Sequence, residues 1–160
     1  MESCKPKIIG LWGKESRGKT HTLNLVAVLL KNRGATIIQG EVPADFSKDG
    51  IYIVEYHNKK IGIVTYGDDG KTLSKAFDNI ENDCDLYICA TRTKDSSVEF
   101  ARKEFYNILW VEKWSITTEH CALNNIDNLQ QKTNELQAMG IIDIVDKILG
   151  FKCDFHICFA

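Results

Sequence analysis

Gly13-Lys14-Glu15-Ser16-Arg17-Gly18-Lys19-Thr20 is the stretch on which the reading of this chain turns. It fits the spacing G-x-x-x-x-G-K-[ST] at every fixed position. The two glycines permit a tight turn and a close approach of backbone to ligand, so that successive N–H groups converge on one point, a nest for an anion. Ahead of it, residues 7–12 form a short apolar run, read as a buried strand. Behind it, Leu23, Val26, Ala27 and Leu30 have the one-face spacing of an amphipathic helix, which Gly34 is placed to end. Such a helix aims its positive end into the turn.

Working outward, residues 35–38 read as a second short strand and 40–50 as a loop, long enough to suggest a function. Residues 51–56 and 60–66 flank His57-Asn58-Lys59 as a hairpin, and Gly67-Asp68-Asp69-Gly70 follows it. Leu73, Ala76, Phe77 and Ile80 mark a further helix, and residues 86–90 an apolar strand. Ser96 and Glu99 have the spacing of a capping box, opening a helix that carries Val98, Ala101 and Phe105 inward. Residues 108–111 read as the last central strand. Beyond it, Leu123, Ile126, Leu129 and Leu136 form a narrow apolar stripe in an Asn/Gln-rich segment, Gly140 ends that helix, and residues 141–149 form another, stopped by Gly150. Strands alternating with helices predict one α/β domain over residues 1–160. Its expected form is three-layered, a mostly parallel sheet with one antiparallel hairpin strand and helices on both faces.

Composition narrows the functional classes. With 160 residues the chain can bury a real core. A formal net charge of −2 argues against direct nucleic-acid binding. No apolar run approaches the roughly 20 residues of a membrane span, and the first residues lack the apolar core of a secretion signal, so a cytoplasmic location is expected. The six cysteines show no Cys-x-x-Cys pair. Cys153, His156 and Cys158 could assemble a soft metal site, but their alternation with Phe155, Ile157 and Phe159 reads as a half-buried strand.

On residues 13–20 in their strand–loop–helix setting, the chain resembles the P-loop NTPase superfamily. The resemblance implies that fold, with a nucleoside triphosphate and Mg²⁺ as ligands. It places Gly13, Lys14, Glu15, Ser16, Arg17, Gly18, Lys19, Thr20 and His21 against the nucleotide. Lys19 would reach the β- and γ-phosphates, and the Thr20 hydroxyl would hold Mg²⁺. The superfamily also carries an acid at the end of an apolar strand beside the first. Here Asp68 is the first choice for that metal-side acid and Asp69 the second, although both arrive after Tyr66-Gly67 and could instead cap the next helix. Glu41, at the end of the second strand, could orient water or contact Mg²⁺ from the 40–50 loop, or be a solvent-facing loop acid. Arg92 follows a strand end on the edge where open α/β sheets bind ligands, and could contact phosphate, stack on a base or form a surface ion pair.

Lys14 sits where the deviant Walker A ATPases carry a lysine that reaches a partner subunit's phosphates, although Glu15 and Ser16 stand where that group has glycines. The hairpin before Gly67 looks instead like small GTPases, but Thr93-Lys94-Asp95 brings its aspartate one position early for guanine recognition. ATP is therefore favoured and GTP stays open. The expected activity is slow ATP hydrolysis by a small regulatory ATPase coupled to a protein partner or acting as a homodimer. The alternatives are a GTP-binding switch, a small-molecule kinase, which the lack of arginine after Arg102 disfavours, and a non-hydrolysing scaffold. In the last, the 124–137 stretch would be a partner surface.

Overall fold

The computed structural model describes residues 7–14, 18–67, 69–80, 84–92, 96–104, 107–116 and 126–151. Glu15, Ser16, Arg17, Asp68, Phe105 and the Cys153–His156–Cys158 cluster lie outside the described residues. The elements are β1 (Ile8–Trp12), α1 (Lys19–Asn32), β2 (Thr36–Gln39), β3 (Ile51–Tyr56), β4 (Lys59–Val64), α2 (Gly70–Asp78), β5 (Leu86–Thr91), α3 (Ser96–Glu104), β6 (Ile108–Glu112) and α4 (Ile126–Leu149).

The strands form one six-stranded sheet in the order β2-β3-β4-β5-β1-β6. Pairings β4–β5, β5–β1 and β1–β6 are parallel, whereas β3 runs antiparallel to both its neighbours. The β3–β4 turn is His57-Asn58, both at positive φ, 48 and 62°. That is the conformation a two-residue hairpin needs to match strand twist.

Alternation along the strands sorts side chains into two layers. Ile9 and Leu11 of β1, Ile61 and Ile63 of β4, and Leu86, Ile88 and Ala90 of β5 join one cluster with α1 and α4. Ile8, Val64 and Cys89 point the other way and meet Leu73 and Ala76 of α2, with Phe100 of α3 against them. The α/β layering therefore follows from the period of two. Leu23, Val26, Ala27 and Leu30 are fully buried on α1, the leucines and Val26 each contributing roughly 1.5–3 kcal/mol by burial and the Ala27 methyl about 0.8. The helix ends as a Schellman motif, with Ala35 N–H bonded to Leu30 O and Gly34 N–H to Lys31 O.

Four expectations need correction. The strand carrying 61–66 is not beside β1, because β5 lies between β4 and β1; alternation reveals which face a residue takes but not which strand is its neighbour. β6 is an edge strand with half-buried residues, not a central one. Gly140 does not break the chain into two helices: α4 runs unbroken from Ile126 to Leu149, since a helical glycine costs only about 1 kcal/mol and α4 packs along α1. Its inward face is also not the leucine stripe. Leu129 and Leu136 are exposed, while Asn134, Gln137, Ala138, Ile141, Ile142, Val145 and Asp146 are buried.

At α3, Ser96 is the first helical residue and its hydroxyl accepts from the Gly70 N–H of α2. The two helix starts are thus joined directly, and α3 begins where the Ser96–Glu99 spacing placed a helix start. Among the described residues, no helix is long and apolar enough to cross a membrane.

Candidate functional site

The parallel strands β1, β4, β5 and β6 end on one edge of the sheet, and the motif lies there at the end of β1. Gly13 N–H donates to Thr91 O of β5 at 3.3 Å, and Lys113 N–H, just past β6, donates to Trp12 O at 2.8 Å. The end of β1 is therefore gripped from both sides. Gly18 caps α1 in the left-handed region at φ 84° and has no side chain to satisfy the first N–H groups. The N–H donors of a helix's first turn are the groups that bind anions at such a start. A Cβ at Gly18 would meet the Asn134 amide of α4 at 3.1 Å.

Lys19 is buried and its Nζ donates to Gly13 O at 2.6 Å and Thr91 O at 2.7 Å. Its cation is thus folded back over the start of the motif, bridging β1 to β5. Thr91 Oγ1 is buried with no hydrogen-bond partner among the described residues. Such an orphaned hydroxyl costs about 1–3 kcal/mol unless something satisfies it.

Among the described residues, an acid that the sequence reading missed reaches the motif. Thr20 Oγ1 donates to Asp49 Oδ1 at 2.9 Å, and Thr65 Oγ1, just past β4, lies 3.0 Å from the same oxygen. Asn24 of α1 sets this geometry. Its amide donates to Phe46 O at 2.8 Å and Lys48 O at 2.9 Å, and its carbonyl oxygen accepts from Tyr52 Oη at 2.7 Å. The 40–50 loop is thereby tied down over α1. Burial pushes the Tyr52 hydroxyl up to about 12, so it stays a donor.

Of the acids singled out from the sequence, Asp68 lies outside the described residues, and Asp69 and Glu41 are the two described. Asp69 is the N-cap of α2, accepting from Thr72 N–H at 2.7 Å and Thr72 Oγ1 at 3.1 Å, and these bonds hold its carboxyl below the usual range. Gly67 explains why: a Cβ there would come within 2.2 Å of Ala90 O, so only glycine lets the chain cross the end of β5 towards α2 and α3. Glu41 is exposed in the loop, and Lys14 is exposed beside Gly13. Arg92 is half-buried, with its N–H on Ser97 Oγ at 3.1 Å.

A second buried lysine was also missed. Lys113 is 6% exposed, a Cβ at Gly13 would lie 3.1 Å from its own Cβ, and its Nζ donates to Trp114 O. Burial pulls its pKa down to about 8. Burial, then the Lys113 charge, likewise hold His21 below the usual histidine value, against Asp45 and Glu135. The stretch after β6 is clamped by α4 amides. Trp114 N–H donates to Gln137 Oε1 at 2.9 Å, Gln137 Nε2 to Glu112 O at 2.7 Å, and Ile116 N–H to Gln130 Oε1 at 3.0 Å.

Position relative to strand ends was the available signal for Lys113, which directly follows β6 on the ligand edge. Compared with protein-family models, with curated proteins and with solved structures, the chain shows no match in any of the three.

Proposed function

We propose that this protein binds a magnesium nucleoside triphosphate at residues 13–20 and hydrolyses it slowly, with ATP ahead of GTP. The observation that supports this most is the buried Lys19 ammonium, held by two carbonyls at the start of α1, one of them from Thr91, whose hydroxyl has no partner among the described residues. Exchanging those carbonyls for phosphate oxygens keeps the cation paired while placing it on the anion. The N–H groups of the first turn of α1 supply further donors, and Lys113 a second buried cation.

The residues fit Mg²⁺, a hard cation that takes oxygen ligands. The Thr20 hydroxyl and Asp49 carboxylate are such donors, 2.9 Å apart, and they would hold it. When bound, the ion neutralises charge on the β- and γ-phosphate oxygens. Phosphoryl transfer otherwise asks for positioning, and Asp49 is the described acid placed at the motif to orient water.

The test is thermal-shift titration with Mg-ATP, Mg-GTP, ADP and GDP, beside steady-state phosphate release. A nucleotide at 100 times its Kd should add about 2.7 kcal/mol of stability. Lys19→Ala should lose that gain when measured against its own ligand-free midpoint, since the variant also strips two carbonyls of a donor. No shift from any nucleotide in the wild type would overturn the proposal. A second reading, a nucleotide-controlled switch without significant turnover, draws on the loop that Asp49 and Asn24 hold against Thr20 and α1. Tight binding with no phosphate release selects it.

A further inference from the structure

We propose that Trp114 is the surface on which the nucleobase stacks; the inference rests on the nucleotide reading above and adds to it where the base lies. Trp114 is 54% exposed, the largest of the exposed apolar side chains among the described residues. Single exposed apolar residues are ordinary on protein surfaces. What sets this one apart is that its backbone is fixed on both sides while its indole is left to solvent. Its N–H is held by Gln137, its carbonyl accepts from the buried Lys113 ammonium, and Ile116 two residues on is held by Gln130. Gln137 is itself 2% exposed. One buried and one half-buried amide thus hold a short segment at the edge of the sheet where the parallel strands end.

The location suits a base. Lys113 packs against Gly13 and bonds to Trp12 O, so the Trp114 Cα lies about 3.8 Å beyond that of a residue touching the motif. Asp49 and Thr65 occupy the side of the motif facing β4. Trp114 lies across β1 from them, on the β6 side, where the nucleoside would extend when the phosphates sit at residues 18–20. Stacking on an indole accepts any base, because every base presents a π-face. The subsite therefore strengthens binding without choosing strongly between ATP and GTP.

The experiment is isothermal titration calorimetry on the full chain with Mg-ATP, Mg-GTP and Mg-tripolyphosphate, which has the phosphates and no base. Trp114→Ala should weaken ATP and GTP alike by about tenfold and leave tripolyphosphate unchanged; Trp114→Phe should stay close to wild type. Unaltered ATP affinity in Trp114→Ala overturns the proposal. Equal losses for tripolyphosphate also overturn it, by making the residue a structural one. A wild type that binds none of the three removes the underlying nucleotide reading instead, an outcome distinct from either.

Discussion

Lys113 shows what a single buried charge adds to this site. With no carboxylate facing it in the contacts described above, it spends its hydrogen bond on Trp114 O, and burial lowers its pKa from 10.5 to about 8. The unfolded chain therefore holds more protons than the folded one between about pH 8 and 10.5, so this residue's contribution makes stability rise with pH across that window. Urea midpoints of wild type and Lys113→Met, compared from pH 7.5 upward, should show the wild type gaining on the variant through that range. A constant difference would mean that the ammonium is well solvated. Asn24 is the opposite case at this scale, a buried polar side chain with its donors and acceptor satisfied. Nothing periodic in the sequence announces it. It sits among apolar neighbours on the inward face of α1 and acts on carbonyls more than twenty residues away, so neither its role nor that of Asp49 was legible.

At the scale of elements, α1 and α4 teach different lessons. Four apolar residues at helical spacing gave the buried face of α1 correctly, because that face meets an apolar sheet. On α4 the same rule chose the wrong face. Gln137 turns inward because the backbone at the end of β6 offers groups that need partners, and an amide meets them where a leucine could not; Asn134 turns inward beside Gly18 and accepts from Gln130 Nε2. Leu129, Leu136 and Met139 are left outside. Gly140 sits inside this helix with no described heavy atom within 4 Å of a Cβ built on it. Gly140→Ala should therefore stabilise the protein by about 0.5–1 kcal/mol through helix propensity and a less flexible unfolded chain. Chemical denaturation reads this directly; a loss of stability would mean that α4 is not continuous there.

At the scale of the whole molecule, the layered α/β architecture was legible because strands and helices alternate, while the strand order was not. That order matters chemically. With β5 interposed, β4 lies two strand spacings from β1, about 10 Å, and the acid at Thr20 arrives instead on a loop that returns from the far side of the sheet. Assembly beyond one chain is a separate expectation, and exposed Lys14 is the residue at which it can be tested. If two copies share their nucleotides, ATPase rate per subunit should climb with protein concentration in the wild type and not in Lys14→Ala. A rate indifferent to both would dismiss the dimer. The clamp from α4 also carries a consequence in time. The motif is made early in synthesis, yet the amides that brace the segment beside it come from residues 130–137, and the Arg33–Asp146 ion pair joins positions 113 apart. Contacts so distant along the chain form late, after the entropy of closing a long loop has been met. A growing chain thus carries its glycine-lysine turn unbraced until α4 has emerged. On the function proposed above, nucleotide capture would wait for that helix and would not belong to residues 13–20 alone.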